Sequence, residues 1–127
     1  MANDEHVVML ARGATVWNEW RAKHEMPDLS RAGLRGHDLS GFDLSAADLR
    51  DADLRGTNLS GANLSGAHVD DANLFKAVLD GADLAGAFLN GAQFLNCAQL
   101  VATRKWHSAF RDDALVCGTF IPDRKPE

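Results

Sequence analysis

Histidine, cysteine and paired carboxylates are the residues of this chain that could bind a metal or catalyse a reaction, but their spacing suits neither role. None of the five histidines stands with a cysteine or carboxylate at metal-ligand spacing. Cys97 and Cys117 form no Cys-x-x-Cys motif, and two cysteines are too few for a disulfide framework. The acidic doublets at 70–71 and 112–113 are expected to be solvated surface, with a weak cation site as the lesser alternative.

The serines and glycines give no better case for catalysis. Serine recurs at one position of a repeated pattern, but no base stands where it could activate the hydroxyl. The serines concerned are Ser30, Ser40, Ser45, Ser60 and Ser65. Glycine recurs singly rather than in a phosphate-binding loop. The sequence therefore predicts a protein that is not an enzyme and has no cofactor and no metal site.

Length and composition exclude several classes of protein. A chain of 127 residues with 46% hydrophobic residues is long enough for one domain and too apolar for a disordered segment. No apolar run approaches the roughly 18–20 residues that cross a membrane. The first residues, MANDEH, are polar and acidic, unlike a secretory signal. We expect one cytoplasmic domain.

A period of five residues is the main feature of the sequence. A large apolar residue occupies every fifth position from Leu29 to Phe94, with a small residue two positions before it in most cases. Asp or Asn is common one position before the large residue, and Gly two positions after it. Five fits neither an α-helix nor a flat strand. It fits a chain that turns a corner every five residues and directs one large and one small side chain inward.

Residues suited to tight corners explain the unusual composition. Gly and Asn or Asp tolerate the backbone conformations of turns, and a short carboxylate can accept hydrogen bonds from turn backbone. Between residues 27 and 96 there are 10 Asp and no Glu, as expected if the longer side chain serves this role less well. The same segment holds five basic residues, so it carries a net charge of −5.

The repeats resemble the pentapeptide-repeat family, for example in ADLRDADLRGTNLSGANLSGA over residues 47–67. The resemblance covers about 70 of the 127 residues. It implies an all-β solenoid, a right-handed quadrilateral β-helix with four repeats per coil. The repeats over 27–96 would then make about 3.5 coils, a stack of roughly 17 Å at the usual spacing of strands. Its structural core would contain the large residue of each repeat: Leu34, Leu39, Leu44, Leu49, Leu54, Leu59, Leu64, Val69, Leu74, Leu79, Leu84 and Leu89.

An N-terminal cap is expected because a solenoid exposes unpaired backbone at its ends. Residues 4–24, within an N-terminal unit of residues 1–26, are predicted to form one amphipathic capping helix. Its apolar side includes Leu10, Trp17 and Trp20. His37 and Phe42 stand where the first coil should have small inward residues, and we expect them to meet the tryptophans.

A C-terminal cap and tail are expected over residues 97–127. The five-residue phase breaks after Phe94, and 97–100 look like one more repeat displaced by a residue. Residues 102–115 suggest a short helix with Trp106 and Phe110 on its apolar side.

Four large apolar residues of the last coils occupy positions that should point outward: Phe75, Val78, Phe88 and Leu95. On a map of four repeats per coil, Phe75 and Leu95 fall in one column. Such a patch is either covered by the C-terminal segment or lies in a contact between subunits, such as a homodimer. The sequence leaves both alternatives open.

The favoured function is a protein–protein interaction or scaffold module whose partner is unknown. The family resemblance also implies an alternative, a DNA mimic that modulates DNA gyrase or topoisomerase IV and confers quinolone resistance. Six of the 10 Asp occupy the repeat's own Asp/Asn position, so the acidity belongs mostly to the fold and supports mimicry weakly. Nucleic acid and membranes are not expected partners, because the sequence pI is about 5.4 and only Arg35 and Arg55 share a column.

Overall fold

A computed structural model describes residues 3–24 and 26–112. Parallel bridges join residues twenty positions apart, from Asp28 with Asp48 to Asn73 with Gln93. Twenty residues per coil and a period of five place four pentapeptides in each coil. The expected strands are reduced to single bridges within the described residues. The reason is that only the Asp/Asn position of each pentapeptide lies between two corners.

Each corner is a turn closed by two kinds of hydrogen bond. The carbonyl of the large residue accepts from the N–H three residues later, as in Leu29 to Ala32 at 3.0 Å. The third residue of the turn has positive φ, which is 66° at Gly61 and 57° at Ala46. The Asp or Asn side chain then accepts from the backbone N–H and the hydroxyl of the serine two residues later. The recurring serines therefore support the corners.

The inward side chains fill the interior of the coils. Every large residue that the sequence assigns to the core, from Leu34 to Leu89, is at most 3% exposed. The alanines two positions before them are buried as well, Ala62 and Ala82 among them. Burial of a leucine contributes about 1.5–3 kcal/mol to the free energy of unfolding, so stability is distributed over all coils.

The N-terminal segment forms two helices where one was predicted over 4–24. α1 spans Asp4–Leu10 and α2 spans Ala14–Arg21. The helix is interrupted at Gly13, whose φ of 94° is incompatible with a continuous helix. Of the three predicted capping residues in this segment, Leu10 and Trp17 are buried and Trp20 is partly buried against the core.

Side chains of α1 and α2 meet the exposed backbone of the first coil. The Trp17 indole N–H donates to the carbonyl of Asp43 at 2.8 Å. The Asn18 side chain donates to the carbonyl of Gly41 at 3.1 Å and accepts from the N–H of Asp43 at 2.7 Å. The N–H of Asp28 donates to His6 Nδ1 at 2.9 Å. These bonds replace the partners that a preceding coil would supply.

The first coil itself departs from the prediction at one residue. Phe42 is buried, with its ring centroid 6.2 Å from that of Trp17. His37 is exposed instead, so only one of the two large side chains meets the tryptophans.

The pairing of coils continues past residue 96. Asp83 bridges Arg104 and Phe88 bridges Phe110, with separations of 21 and 22 residues. The extra residues are accommodated by α3, Cys97–Val101, and by a short 3-10 helix, Trp106–Ser108. Leu100 and Trp106 are buried at this end.

Two predictions for this segment are wrong in its described part. Residues 97–100 belong to helix α3 rather than to a displaced repeat. No helix covers 102–112 apart from the three residues of the 3-10 helix, and residues 113–115 lie outside the described part of the chain. Phe110 is 53% exposed because its bridge to Phe88 places it over that residue and not over the interior.

The described helices are too short to cross a lipid bilayer.

Replacing Asn18 with Ala should destabilise the chain by about 1–3 kcal/mol, because the N–H of Asp43 and the carbonyl of Gly41 would lose their partner. Urea unfolding followed by circular dichroism measures this change. Glu19→Ala, an exposed neighbour on the same helix, is the control and should change stability by less than about 0.5 kcal/mol. Equal stability of the two variants would show that α2 does not protect the edge of the first coil.

Candidate interaction surface

The described residues do not assemble a metal site. Within them, no three His, Cys, Asp or Glu side chains lie close enough to hold a metal ion. An apolar void along the axis is lined by large core residues and by Leu95, and no polar group faces it. Cys97 is disulfide-bonded, and Cys117 lies outside the described residues. The outer surface is therefore the part of the described structure that offers contacts.

The four predicted interface residues occupy different environments. Phe75 and Val78 are 46% and 42% exposed. Phe88 is half-buried between the parallel rings of His68 and Phe110, at centroid distances of 4.4 and 4.8 Å. The described part of the C-terminal segment thus covers Phe88 and leaves Phe75 and Val78 exposed.

Leu95 does not lie in the outward column with Phe75, which corrects the sequence prediction. It packs against the core and lines the axial void. Phe94 instead points outward, 63% exposed, with a φ of 60°. The two neighbours exchange roles because the turn at Phe94 shifts the phase by one residue, and a leucine continues the inner column. Phe94 then meets Phe75 edge to face at 5.4 Å.

One side of the solenoid combines these phenylalanines with basic residues. We name it the Arg–Phe face, and it consists of residues 32–36, 52–56, 72–76 and 92–96. Backbone bonds set its register, since Gly36 donates to the carbonyl of Arg55 and Gly56 to that of Phe75, both at 2.9 Å. Arg35, Arg55 and Phe75 therefore follow one another up a column.

The Arg–Phe face differs in charge from the rest of the solenoid. It holds three basic residues, Arg35, Arg55 and Lys76, against Asp53, a net of +2. The other residues of 27–96 hold nine Asp against two Arg, a net of −7. A positive strip with exposed aromatic rings thus stands on an otherwise acidic surface.

The arginines at this repeat position bind a carboxylate of their own repeat where one is present. Arg55 donates to both oxygens of Asp53 at 2.8 and 2.7 Å, and Arg50 donates to both oxygens of Asp48 at 2.9 and 2.8 Å. The hydrogen bond from Arg55 holds the pKa of Asp53 well below its usual range, at about 2. The corresponding bond from Arg50 lowers the pKa of Asp48.

Arg35 lacks such a partner because its repeat, AGLRG, has Gly33 in the Asp position. Among the described residues its guanidinium forms no hydrogen bond or ion pair, and its charge contributes to the lowered pKa of Asp53 in the next coil. The glycine at position 33 is visible in the sequence. Its consequence for Arg35 becomes clear only from the structure, in which the arginines of other repeats bind the aspartate that Gly33 replaces. Phe94 was missed because the five-residue period assigns it to the interior.

Acidification should weaken the Asp53–Arg55 pair. A carboxyl whose pKa falls on folding stabilises the folded state above its unfolded pKa of about 4, and this contribution is lost as pH falls toward about 2. Asp53→Asn should therefore lose less stability than wild type between pH 6 and pH 2.5, measured by urea unfolding. Its amide can still support the corner, as Asn73 does in the next coil.

Asp80→Asn is the control, since the Asp80 carboxylate is exposed and bonds to no other described residue. Because this variant keeps the Asp53–Arg55 pair, it should retain the loss of stability that the pair causes between pH 6 and pH 2.5. An Asp53→Asn variant with the full wild-type loss would contradict the stabilising role of the pair.

Comparison with known proteins gives one family. The family model for pentapeptide repeats matches residues 28–66 and 72–98 with eight copies. No curated protein matches the chain. Similar solved structures include the pentapeptide repeat protein alr5209 of Nostoc PCC 7120, 28% identical, covering 78% of this chain and 94% of that one, with a TM-score of 0.38.

Two further structures are similar. Rfr23 of the cyanobacterium Cyanothece 51142 is 32% identical and covers 74% of this chain and 67% of its own, with a TM-score of 0.28. HetL of Nostoc sp. PCC 7120, a protein involved in the regulation of heterocyst differentiation, is 30% identical over 66% of this chain and 46% of its own, with a TM-score of 0.32. Because the family model covers more than half of the residues, the chain belongs to the pentapeptide-repeat family.

Proposed function

We propose that this protein is a non-enzymatic interaction module, built on the right-handed quadrilateral β-helix of its family, and that it docks a protein partner on the Arg–Phe face. The observation that carries the proposal is the exposed pair of rings of Phe75 and Phe94, with Lys76 Nζ 5.4 Å from the Phe75 centroid and Arg35 and Arg55 in the same column. Pentapeptide repeat proteins are generally structural or interaction modules rather than enzymes. The proposal is in keeping with that role.

The composition of the Arg–Phe face supports this function. Phenylalanine and arginine are enriched in protein interfaces, whereas exposed aromatic pairs are uncommon on a surface that contacts only water. Phe75 and Phe94 are 46% and 63% exposed in a chain that buries its leucines almost completely. The exposed rings do not contribute to the hydrophobic core. A role in binding a partner explains why they are exposed.

The modulation of DNA gyrase remains the alternative function. A DNA mimic needs carboxylates that are free to replace phosphates. Here Oδ1 of Asp28, Asp38, Asp43 and Asp83 accepts hydrogen bonds within the corners. This use of the carboxylates favours the interaction module. A gyrase supercoiling assay with added protein tests the alternative, and inhibition or protection at micromolar protein would favour mimicry.

Loss of the two rings should abolish partner capture. The experiment immobilises wild type and the Phe75→Ser/Phe94→Ser double variant, incubates each with lysate of the source organism, and compares retained proteins by quantitative mass spectrometry. We expect at least one protein that wild type retains and the double variant loses. The folding of each protein is checked by circular dichroism.

Phe110→Ser is the matched control, because Phe110 is also exposed and aromatic but lies outside the Arg–Phe face. It should retain the same protein as wild type. Identical retention by wild type and the double variant would overturn the proposed function.

A further inference from the structure

We propose that the partner element bound by the Arg–Phe face is a short, extended acidic peptide with an apolar residue at one end. This inference rests on the proposed function and names the chemistry of its partner. The acidic part of the peptide would meet Arg35, and the apolar residue would meet the rings of Phe75 and Phe94.

Arg35 is the main anchor for a carboxylate. Arg50 and Arg55 already bind both oxygens of an aspartate two residues earlier. Gly33 takes the place of that aspartate before Arg35, so the exposed guanidinium has no carboxylate from its own repeat. A planar guanidinium binds a carboxylate through two parallel hydrogen bonds. Arg35 can therefore give a partner the bond that Arg55 gives to Asp53.

The other charges direct an acidic segment to this face. The Arg–Phe face carries a net charge of +2, while the rest of the 27–96 segment carries −7. Coulomb repulsion keeps a peptide with several carboxylates away from the remaining sides, and attraction at this strip raises its rate of association. Charge thus selects both the kind of partner and the side on which it binds.

The upper end of the face suits an apolar side chain. The rings of Phe75 and Phe94 meet edge to face at 5.4 Å, and Nζ of Lys76 lies 5.4 Å from the centroid of Phe75. An aromatic or aliphatic residue placed on these rings would bury apolar surface, while Lys76 would face a carboxylate next to it. The column therefore has a cationic side chain at one end, Arg35, and an aromatic side chain at the other, Phe94.

The size of the face favours a peptide over a folded domain. Three coil steps separate Arg35 from Phe94, which is about 14 Å at a strand spacing of about 4.8 Å. An extended peptide covers that distance with about four or five residues. A stable contact with a second copy of the chain would need about 800 Å² from each partner. A strip one pentapeptide wide and 14 Å tall supplies much less, so a short segment is the better fit.

Fluorescence anisotropy with a labelled peptide tests the inference. The probe is fluorescein-labelled Asp-Asp-Gly-Ser-Trp, and Lys-Lys-Gly-Ser-Trp is the reversed-charge control. Wild type should bind the acidic probe, lose affinity as salt is raised, and bind the basic probe more weakly. Arg35→Gln should weaken binding about fivefold, the effect of one exposed ion pair.

Two further variants separate binding from folding. Arg50→Gln removes an arginine from another side of the solenoid and should leave the affinity unchanged. Gly33→Asp should weaken binding about fivefold as well, because the new carboxylate would engage Arg35. It should not lower the unfolding temperature, since no atom lies within 4 Å of the position of a new Cβ at residue 33.

Several results would overturn the inference. They are equal affinity for the acidic and basic probes, equal weakening by Arg50→Gln and Arg35→Gln, and tighter binding of labelled oligo(dT) than of the acidic probe. A dimer in light scattering that Phe75→Ser abolishes would assign the face to a second copy instead. If the acidic peptide fails while Phe75→Ser/Phe94→Ser still loses a captured protein, the proposed function holds and only the chemistry of the partner is wrong.

Discussion

The hydrogen bonds between successive coils are the constraint on which the rest of this structure depends. In most repeats the N–H of the large inward residue donates to a carbonyl of the next coil, as Leu44 does to Asn63 at 2.8 Å. Over residues 28–93 the bridged positions lie twenty residues apart, so this regular pairing requires coils of equal length and corners that turn alike. The inward leucine, the small residue and the Asp or Asn acceptor are thereby fixed by the fold. The residue after the leucine is the one left to vary, and there this chain places Arg35, Arg55 and Phe75.

The same constraint determines how the stack can end. A first coil without a predecessor exposes N–H and C=O groups that another chain could pair with. α1 and α2 meet these groups with side chains, Trp17, Asn18 and His6 among them, rather than with another strand. At the opposite end the ladder itself continues to Phe110, and the extra residues form α3 and a 3-10 helix. The N-terminal end of the stack is therefore closed by side chains, whereas the C-terminal end is closed by an irregular last coil.

Much of this arrangement could be predicted from sequence because a period of five has few structural explanations. The burial of the leucines and the role of Asp and Asn at the corners both follow from it. The departures occur where two neighbouring residues are equally apolar, as with Phe94 and Leu95, since the pattern gives no reason to choose between them. The break at Gly13 was missed for a similar reason, because the apolar residues continue on the same side across it.

The candidate surface depends on the register between coils, which sequence periodicity alone does not show. A residue's neighbours on the surface lie 20 positions away, so the relation between Arg35, Arg55 and Phe75 becomes visible only once the coil length is known. Within that register the consensus repeat neutralises its own arginines, as Asp53 does for Arg55. A repeat that loses the aspartate keeps its fold, since Leu34 is still buried and the next coil still pairs with it. Such a repeat gains a guanidinium that can bind outside the chain. In the interaction proposed above, specificity would come from single departures from the consensus repeat such as Gly33, because the interior of the coils is uniform.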